Sequence, residues 1–467
     1  MEFKILSHAG LAVSSGDVSL VFDPWLVGSC YWRSWWNYPP VPDDLVSGLK
    51  PSFICLSHIH WDHFHGPTLR MFSRDTPVIV PRGHADKMKR DLAFNGFKNV
   101  VELRHGQAFD LAPGFRITSY QFFPYLDSAI MIECEGKTLL NANDAKFMAG
   151  PLRQILRRHP SIDFVFRSHS SANGRMCYEV VDDRSAVVDD DSAYLASFAA
   201  FVRRTNARYA IPFASNHCFL HKEVFSLNAT IKTPQMVEKY FDARGISEPE
   251  VKVMVTGDSW SSERGFQIDP QGREFFDDRQ LHLQSYRERM APVLEKFYAE
   301  EASARVSLAE VEAYFRKFRA AMPLGARWYF RGYPIAFVLE AGESRTIFEV
   351  DLFRGHVREL SATNSTEPLE LHTSTFIFKQ AMDVDLFALI PISKRVRFRV
   401  TRRTKGRMEF LNHLWCLYEY EVPPTGKLTF RFFETWLLRW REVFLYMRIA
   451  KDIALGIKVS EQKYIES

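Results

Sequence analysis

Four potential metal ligands stand within six residues of one another, directly after a short apolar segment. Residues 53–56 predict a buried strand, and the residues that follow contain the pattern H-x-H-x-D-H. Its members are His58, His60, Asp62 and His63. Imidazole and carboxylate groups with this spacing at a strand end can converge on two neighbouring metal ions. We expect His58 and His60 to face one ion, while Asp62 and His63 face the other.

The hydrophobic pattern divides the chain into three parts. Short strands alternate with helical segments through the first part, which predicts a layered αββα sandwich in residues 1–265. Residues 266–323 are charged and helical, and predict a connector. Alternating strands return in residues 324–467, which predict a smaller C-terminal α+β domain that ends in an amphipathic helix. The predicted fold class of the whole chain is therefore α+β.

The net charge and the cysteines of the chain indicate which partners and which cellular compartment to expect. The 60 Lys and Arg residues exceed the 56 Asp and Glu residues by only four, which argues against a nucleic-acid partner. Six scattered cysteines without a C-x-x-C pair predict reduced thiols and a cytoplasmic protein.

The sequence contains no run of 18 uncharged apolar residues, so it predicts no transmembrane helix. Residues 428–457 are apolar but interrupted by charges, which favours a packed amphipathic helix over a membrane-surface helix. The oligomeric state is left open.

Further motifs resemble the metallo-β-lactamase superfamily, in particular its lactonase-like branch. The segment Ser7-His8-Ala9-Gly10, followed by Asp23-Pro24-Trp25-Leu26, is similar to the opening hairpin of that branch. The runs DPWLVGSCYWRSWW, SHIHWDHFHGPTL and LLNANDAKF resemble the catalytic region of the CMP-N-acetylneuraminate hydroxylase family more closely. This resemblance implies that Asp144 is a bridging carboxylate and that His221 is the last histidine ligand.

The resemblance implies six metal ligands, of which Asp62 and Asp144 are also catalytic: His58, His60, Asp62, His63, Asp144 and His221. The superfamily supplies a third histidine to the first ion, but the matching position here is Phe123. His169, His217 or water could fill this position. Otherwise the centre would hold a single ion on the side of His63.

The hydroxylase family also carries a Rieske iron–sulfur domain with C-x-H and C-x-x-H pairs. This sequence contains no C-x-H pair, so we expect no Rieske cluster. Oxygenase chemistry would then take its electrons from a separate electron-donor protein or from the substrate.

The ligand types suit two ions, with iron favoured and zinc or manganese as alternatives. The resemblance favours a di-iron monooxygenase acting on an anionic small molecule, such as a sugar or a nucleotide-linked metabolite. A dinuclear zinc or manganese hydrolase of a lactone, ester or phosphodiester is the alternative. A non-catalytic protein with a decayed site is a third reading. The predicted substrate contacts are an aromatic wall and two basic side chains: Trp35, Trp36, Arg33 and Arg175.

Overall fold

The computed structural model describes residues 1–123, 127–170, 174–183, 191–363, 365–455, 457 and 459–467. The first elements of the chain are eight strands and three short helices: β1 (Glu2–Ile5), β2 (Leu11–Ser15), β3 (Val18–Phe22), β4 (Ser29–Cys30), β5 (Trp35–Asn37), α1 (Asp43–Ser47), β6 (Phe53–Cys55), α2 (Gly66–Leu69), β7 (Val78–Pro81), α3 (Lys87–Phe94) and β8 (Val100–Leu103).

The next elements complete the sandwich: β9 (Gln107–Ala112), β10 (Phe115–Phe122), β11 (Asp127–Cys134), β12 (Lys137–Asn143), α4 (Ala149–Arg158), β13 (Phe164–Ser168), β14 (Tyr178–Val180), α5 (Asp191–Thr205), β15 (Tyr209–Phe213), β16 (His217–Phe219), α6 (Pro234–Asp242), β17 (Glu250–Val251), β18 (Ser259–Ser261) and β19 (Gly265–Gln267).

Helices then dominate before and after a third group of strands: α7 (Pro270–Asp277), α8 (Arg279–Arg289), α9 (Ala291–Ser303), α10 (Leu308–Ala321), α11 (Leu324–Tyr329), β20 (Ile335–Ala341), β21 (Ser344–Asp351), β22 (His356–Leu360), β23 (Leu369–Ser374), α12 (Thr375–Asp383), α13 (Ile390–Ser393), β24 (Val396–Val400), α14 (Arg402–Glu419), α15 (Phe430–Leu438), α16 (Trp440–Ala454) and α17 (Glu461–Glu466). Short 3₁₀ helices cover Arg175–Cys177, Phe225–Thr230 and Phe387–Leu389.

Two large sheets form the centre of the sandwich. One has the strand order β19-β18-β1-β2-β3-β6-β7-β8, and the other has the order β17-β15-β13-β12-β11-β10-β9. They pack face to face through large apolar side chains, such as Phe3 from the first sheet and Phe164 and Phe166 from the second. Separate apolar clusters join the outer face of the first sheet to α2 and α3, and that of the second to α4, α5 and α6. The αββα sandwich predicted from the sequence is therefore confirmed.

The C-terminal region has its own sheet but interlocks with the sandwich. This third sheet has the order β14-β24-β23-β20-β21-β22, so it takes β14 from the earlier part of the chain. Tyr178 on β14 pairs with Phe398 on β24. At the end of the chain, α17 places Tyr464 and Ile465 in the apolar cluster beneath α4 and α5. The predicted boundaries at 265 and 323 stay a prediction.

A small sheet, β16-β5-β4, stands beside the sandwich and carries the tryptophan-rich segment. Trp35 pairs with Phe219 and Trp36 with Cys218, so the aromatic run lies against the segment around β16. Among the described residues, no helix combines the length and the apolar character that crossing a bilayer requires.

Candidate metal centre

The predicted ligands follow the carboxyl end of β6. This strand is largely buried and runs parallel to its neighbours β3 and β7. The chain then turns, and the amides of His63 and Phe64 donate to the carbonyl oxygen of His60 at 3.0 and 2.7 Å. His65 is the N-cap of α2, where its side chain accepts a hydrogen bond from the amide of Thr68. The turn therefore fixes the motif between a strand and a helix.

His58, His60 and Asp127 form the first group of candidate ligands. One ligand atom from each residue lies within 4.8 Å of those of the other two. Nε2 of His58 is 2.8 Å from Nδ1 of His60. Two nitrogens bound to one ion at about 2.1 Å, with a right angle between them, are roughly 3 Å apart. The spacing therefore suits two imidazoles on one ion, with the Asp127 carboxylate beside them.

His63 and Asp144 form a second group, which shares His58 with the first. Oδ2 of Asp144 is 3.8 Å from Nε2 of His58, and Oδ1 of Asp144 is 3.8 Å from Nε2 of His63. Asp62 places its Oδ2 atom 3.4 Å from Nε2 of His63. Nε2 of His8 lies 3.1 Å from that same Asp62 oxygen. Asp144 thus lies where its two oxygens could reach two different ions.

A buried hydrogen-bond network around Asp23 fixes the tautomers of two ligands. The Ser57 hydroxyl donates to Oδ2 of Asp23 at 2.6 Å, so its oxygen can accept from Nδ1 of His58 at 2.9 Å. Nδ1 of His63 donates to the same carboxylate at 2.9 Å, and the Asn143 amide donates to it at 3.1 Å. Because Nδ1 of both rings is engaged in these hydrogen bonds, Nε2 is the ring nitrogen that faces the centre, as in carboxylate–histidine–metal sites.

Residues beside the centre adopt left-handed backbone conformations that are uncommon outside glycine. The φ angle is 38° at Asp23 and 49° at Asn143, the residue before Asp144. Three successive residues, 31–33, have φ between 51° and 66°. Tyr31, the first of them, donates its hydroxyl to Oδ1 of Asp62. Such strain persists only where the surrounding contacts hold it, and it is concentrated at functional sites.

Burial affects the protonation of the candidate ligands. It lowers the pKa of both His58 and His60. Burial also acts to lower the pKa of His63, but neighbouring carboxylates, Asp62 first, raise that pKa well above its usual value. Burial together with the adjacent Asp144 carboxylate raises the pKa of Asp127 to about 6. A cation among these carboxylates would favour their charged forms.

Two buried atoms test whether these residues fit a metal. Nε2 of His63 and Oδ1 of Asp144 have no hydrogen-bond partner within the described part of the chain. Buried polar atoms are nearly always paired, and a cation would satisfy a nitrogen lone pair and a carboxylate oxygen together. The imidazole and carboxylate donors suit iron, zinc or manganese. The residues therefore fit a centre for two neighbouring metal ions.

His221 does not join this centre, contrary to the expectation from the sequence. It follows β16 and its Nε2 atom lies 3.1 Å from Oε2 of Glu301 on α9. Glu301 also accepts two hydrogen bonds from the buried guanidinium of Arg395, at 2.7 and 2.8 Å. His221 thus belongs to an ion-pair network that ties the sandwich to α9 and the segment before β24. Its nearest candidate ligands are Glu223 and Glu301.

The third candidate ligand of the first group is Asp127, and Phe123 is not among the residues of that group. Phe123 is turned towards α16, where its amide donates to Glu442 at 2.8 Å and its carbonyl accepts from Arg439. Asp127 is not among the ligands predicted from the sequence, although it is the one acidic residue between positions 111 and 132. His8 is predicted there only as part of a hairpin motif.

A cavity of about 300 Å³ opens onto the centre. Candidate ligands and the two alternative histidines share its wall: His8, His60, Asp62, Asp127, Asp144, His169 and His217. Burial lowers the pKa of His169 to about 3 and holds that of His217 well below its usual value. Both rings are therefore neutral near pH 7, although neither is among the residues grouped with the first two imidazoles.

Of the four predicted substrate contacts, Trp35 lines this cavity. Its ring stacks on that of His217, with 3.7 Å between the centroids. Trp36 is buried in a different apolar cluster, next to α7 and α8. Arg33 donates to Glu300 at 2.6 Å, so its charge is already paired away from the cavity. Arg175 is exposed and is not among the described residues that line the cavity.

Arg167 and Lys146 bring positive charge to the cavity wall. The Arg167 side chain is only 4% exposed, and its guanidinium lies 4.0 Å above the ring of Phe201. It donates to the carboxylate of Glu461 on α17, which also lines the cavity. Arg167 thus holds a carboxylate at the wall of the cavity, which is the kind of group that a guanidinium pairs with.

The sandwich and the centre together define the class: an αββα sandwich with histidine and aspartate side chains arranged for metal ions. No family model matches the chain. The chain is 32% identical to the mouse cytidine monophosphate-N-acetylneuraminic acid hydroxylase over 153 residues, which are 31% of this chain and 26% of the mouse protein. The resemblance drawn from the sequence is thus confirmed, and the match spans about a quarter of that relative's length.

Two solved structures are similar to part of this chain. One is a possible metal-dependent hydrolase from Veillonella parvula, with 14% identity and a TM-score of 0.40, covering 56% of this chain and 98% of that one. The other is CmlA, a diiron β-hydroxylase from Streptomyces venezuelae, with 12% identity and a TM-score of 0.37, covering 55% of this chain and 53% of that one.

Proposed function

We propose that this protein is a di-iron monooxygenase that hydroxylates an anionic small molecule, such as a sugar or a nucleotide-linked metabolite. The observation that carries the proposal is the set of His58, His60 and Asp127. Two imidazoles and one carboxylate with open positions are the ligands typical of non-haem Fe(II) oxygenases. The sequence similarity to a hydroxylase supports the same choice.

Bound iron would supply the activation of dioxygen. Hydroxylation inserts one oxygen atom of O₂ into a C–H bond of the substrate and releases the other as water, so it consumes two electrons and two protons. We propose that a separate electron-donor protein supplies these electrons.

The chain's own residues would hold and orient the reacting groups. Asp144 would contact both ions, because its two oxygens approach both groups of ligands. Tyr31 and His8 would keep Asp62 in place through their contacts with its two carboxylate oxygens. Trp35 would form an apolar wall that limits the access of water to the substrate.

Arg167 would bind the anionic part of the substrate, which would displace Glu461 from its guanidinium. The test is ligand-induced thermal stabilisation across a panel of sugar acids and nucleotide sugars. We expect Arg167→Met to lose stabilisation by a ligand that protects the unmodified protein. The matched control is Arg175→Met, an exposed arginine outside the described cavity wall, which should keep it.

The metal proposal is tested by elemental analysis of protein purified without oxygen, followed by oxygen uptake driven by ascorbate. We expect about two iron ions per chain. Asp127→Asn should lower both the iron content and the oxygen uptake. The control Asp110→Asn changes an exposed aspartate that pairs with Arg116 on β10, and should leave both unchanged.

A hydrolase is the second candidate, because Asp144 is placed to bridge two ions that could activate a water molecule. About two zinc or manganese ions per chain, no oxygen uptake and cleavage of an activated phosphodiester or lactone would favour this candidate. The same elemental analysis therefore separates the two proposals.

A further inference from the structure

An apolar ridge runs along the outer face of α15 and α16. We define the ridge by six large side chains with exposed fractions between 48% and 79%: Phe430, Phe433, Leu437, Trp440, Phe444 and Met447. Within each helix the spacing is three or four residues, so the side chains form one stripe on each helix. Single exposed apolar residues are common, but a contiguous stripe of this kind marks an interaction surface.

The polar face of the same helices is turned inward, so the ridge is fixed in its outward orientation. Glu442 and Arg439 are both buried and form an ion pair with distances of 2.6 to 2.8 Å. Arg431 donates to Glu102 on β8 at 2.8 Å, and Glu434 pairs with Arg82 at 3.3 Å. Rotating either helix to bury the ridge would break these ion pairs and leave their charged groups without partners.

Within residues 427–454, the charged side chains that are exposed are of one sign. Lys427, Arg448 and Lys451 are exposed cations on or beside the two helices. The acidic residues of the helices are paired instead: Asp452 is buried and accepts from Lys463 at 2.6 Å and from Tyr464 at 2.7 Å. Aromatic and aliphatic side chains flanked by exposed cations match the surface of a bilayer that contains anionic lipids.

We propose that the ridge docks this protein on the surface of a membrane that carries anionic lipids. The helices would lie in the interfacial plane, with the aromatic side chains among the headgroups and the cations facing lipid phosphates or carboxylates. A symmetric dimer through the ridge fits less well, because the same patch would meet itself and bring these cations together. Docking is independent of the reaction proposed for the metal centre.

The test is co-sedimentation of the full chain with vesicles of phosphatidylcholine alone and of phosphatidylcholine with phosphatidylserine. We expect binding to the anionic vesicles, weaker binding at high salt, and little binding to the neutral ones. The double variant Phe433→Ser and Phe444→Ser should weaken binding roughly tenfold or more, since it removes two aromatic anchors. The control is Phe94→Ser, because Phe94 is 93% exposed on α3 and lies outside the ridge.

Light scattering after size-exclusion chromatography identifies the competing outcome. A dimer that the double variant converts to a monomer would assign the ridge to self-association and overturn the proposal. Failure to bind anionic vesicles, equal binding to both vesicle types, or unchanged binding by the double variant would also overturn it. The ridge side chains are exposed, so circular dichroism of the double variant should match that of the unmodified protein.

Discussion

The carboxyl group of Asp127 should make metal binding at the first group of ligands depend on pH. Burial and the Asp144 carboxylate raise its pKa to about 6 in the metal-free protein. A metal ion binds the carboxylate form, so below that pKa it must displace a proton. With a pKa of about 6, the carboxylate form is about 90% of the total at pH 7 and about 10% at pH 5. This proton alone should therefore weaken metal affinity by about tenfold between these two pH values.

The two imidazoles of the first group reinforce this interpretation. Burial lowers the pKa of His58 and of His60, so each ring binds its proton at a lower pH than a free imidazole does. As the pH falls, protons therefore compete with the metal ion at the Asp127 carboxylate, while the two imidazoles take up protons less readily than free histidine does. Replacing Asp127 by asparagine removes the titrating group and keeps the size of the side chain. We expect weaker binding at pH 7 and a shallower dependence on pH.

Isothermal titration with Co²⁺ under nitrogen measures this effect at pH 5, 6 and 7 for the unmodified protein and Asp127→Asn. Asp110→Asn serves as the matched control, because Asp110 is exposed at the opposite end of the hairpin strands and pairs with Arg116. The control should keep the tenfold dependence. If Asp127→Asn binds the metal with the affinity and pH dependence of the unmodified protein, Asp127 is not a ligand and the reasoning fails.

Three further variants test the assignments at and around the centre. Asp144→Ala should lose most metal at both groups, measured by elemental analysis, and full retention would show that it does not bridge them. Phe123→His should leave metal content unchanged, because this residue is turned towards Glu442; a gain of metal would contradict that placement. Arg395→Met should lower the free energy of unfolding by about 3–5 kcal/mol in urea titrations, because it leaves the buried Glu301 carboxylate without its cation. Arg358→Met, which removes an exposed pair, should show no measurable change.

The sequence predicted the sandwich and the local part of the site. Candidate ligands that are close in sequence, such as His58, His60 and His63, lie on one turn between a strand and a helix, so their proximity follows from local structure. Asp144 directly follows β12, which runs parallel to β13 in the second sheet, and this strand end was also visible in the hydrophobic pattern. Such features depend on periodicity and turns, which a single sequence carries.

The rest of the site depends on contacts that local pattern does not encode. His221 was expected at the centre because the family resemblance implies a last histidine ligand there, but it follows β16, which pairs with β5 in the small side sheet. Its partner Glu301 is 80 residues away on α9. No local signal predicts such a contact, since it depends on how the connector helices pack against the sandwich. A match to the family pattern alone does not distinguish a histidine that binds a metal from one that, like His221, belongs to a buried ion-pair network.

The substitution of a carboxylate for an imidazole at the first group changes what the centre can bind. An aspartate at the start of β11 adds negative charge beside Asp144, and burial followed by the Asp144 carboxylate raises the pKa of Asp127 in the metal-free protein. A third neutral imidazole would add no such charge. We therefore expect the carboxylate to shift the preference of the centre towards a harder divalent cation, Fe²⁺ or Mn²⁺ rather than Zn²⁺. Competition between equal concentrations of Fe²⁺ and Zn²⁺ under nitrogen should show a smaller preference for zinc in the unmodified protein than in Asp127→His. An equal preference in both proteins would mean that Asp127 does not set the choice of metal.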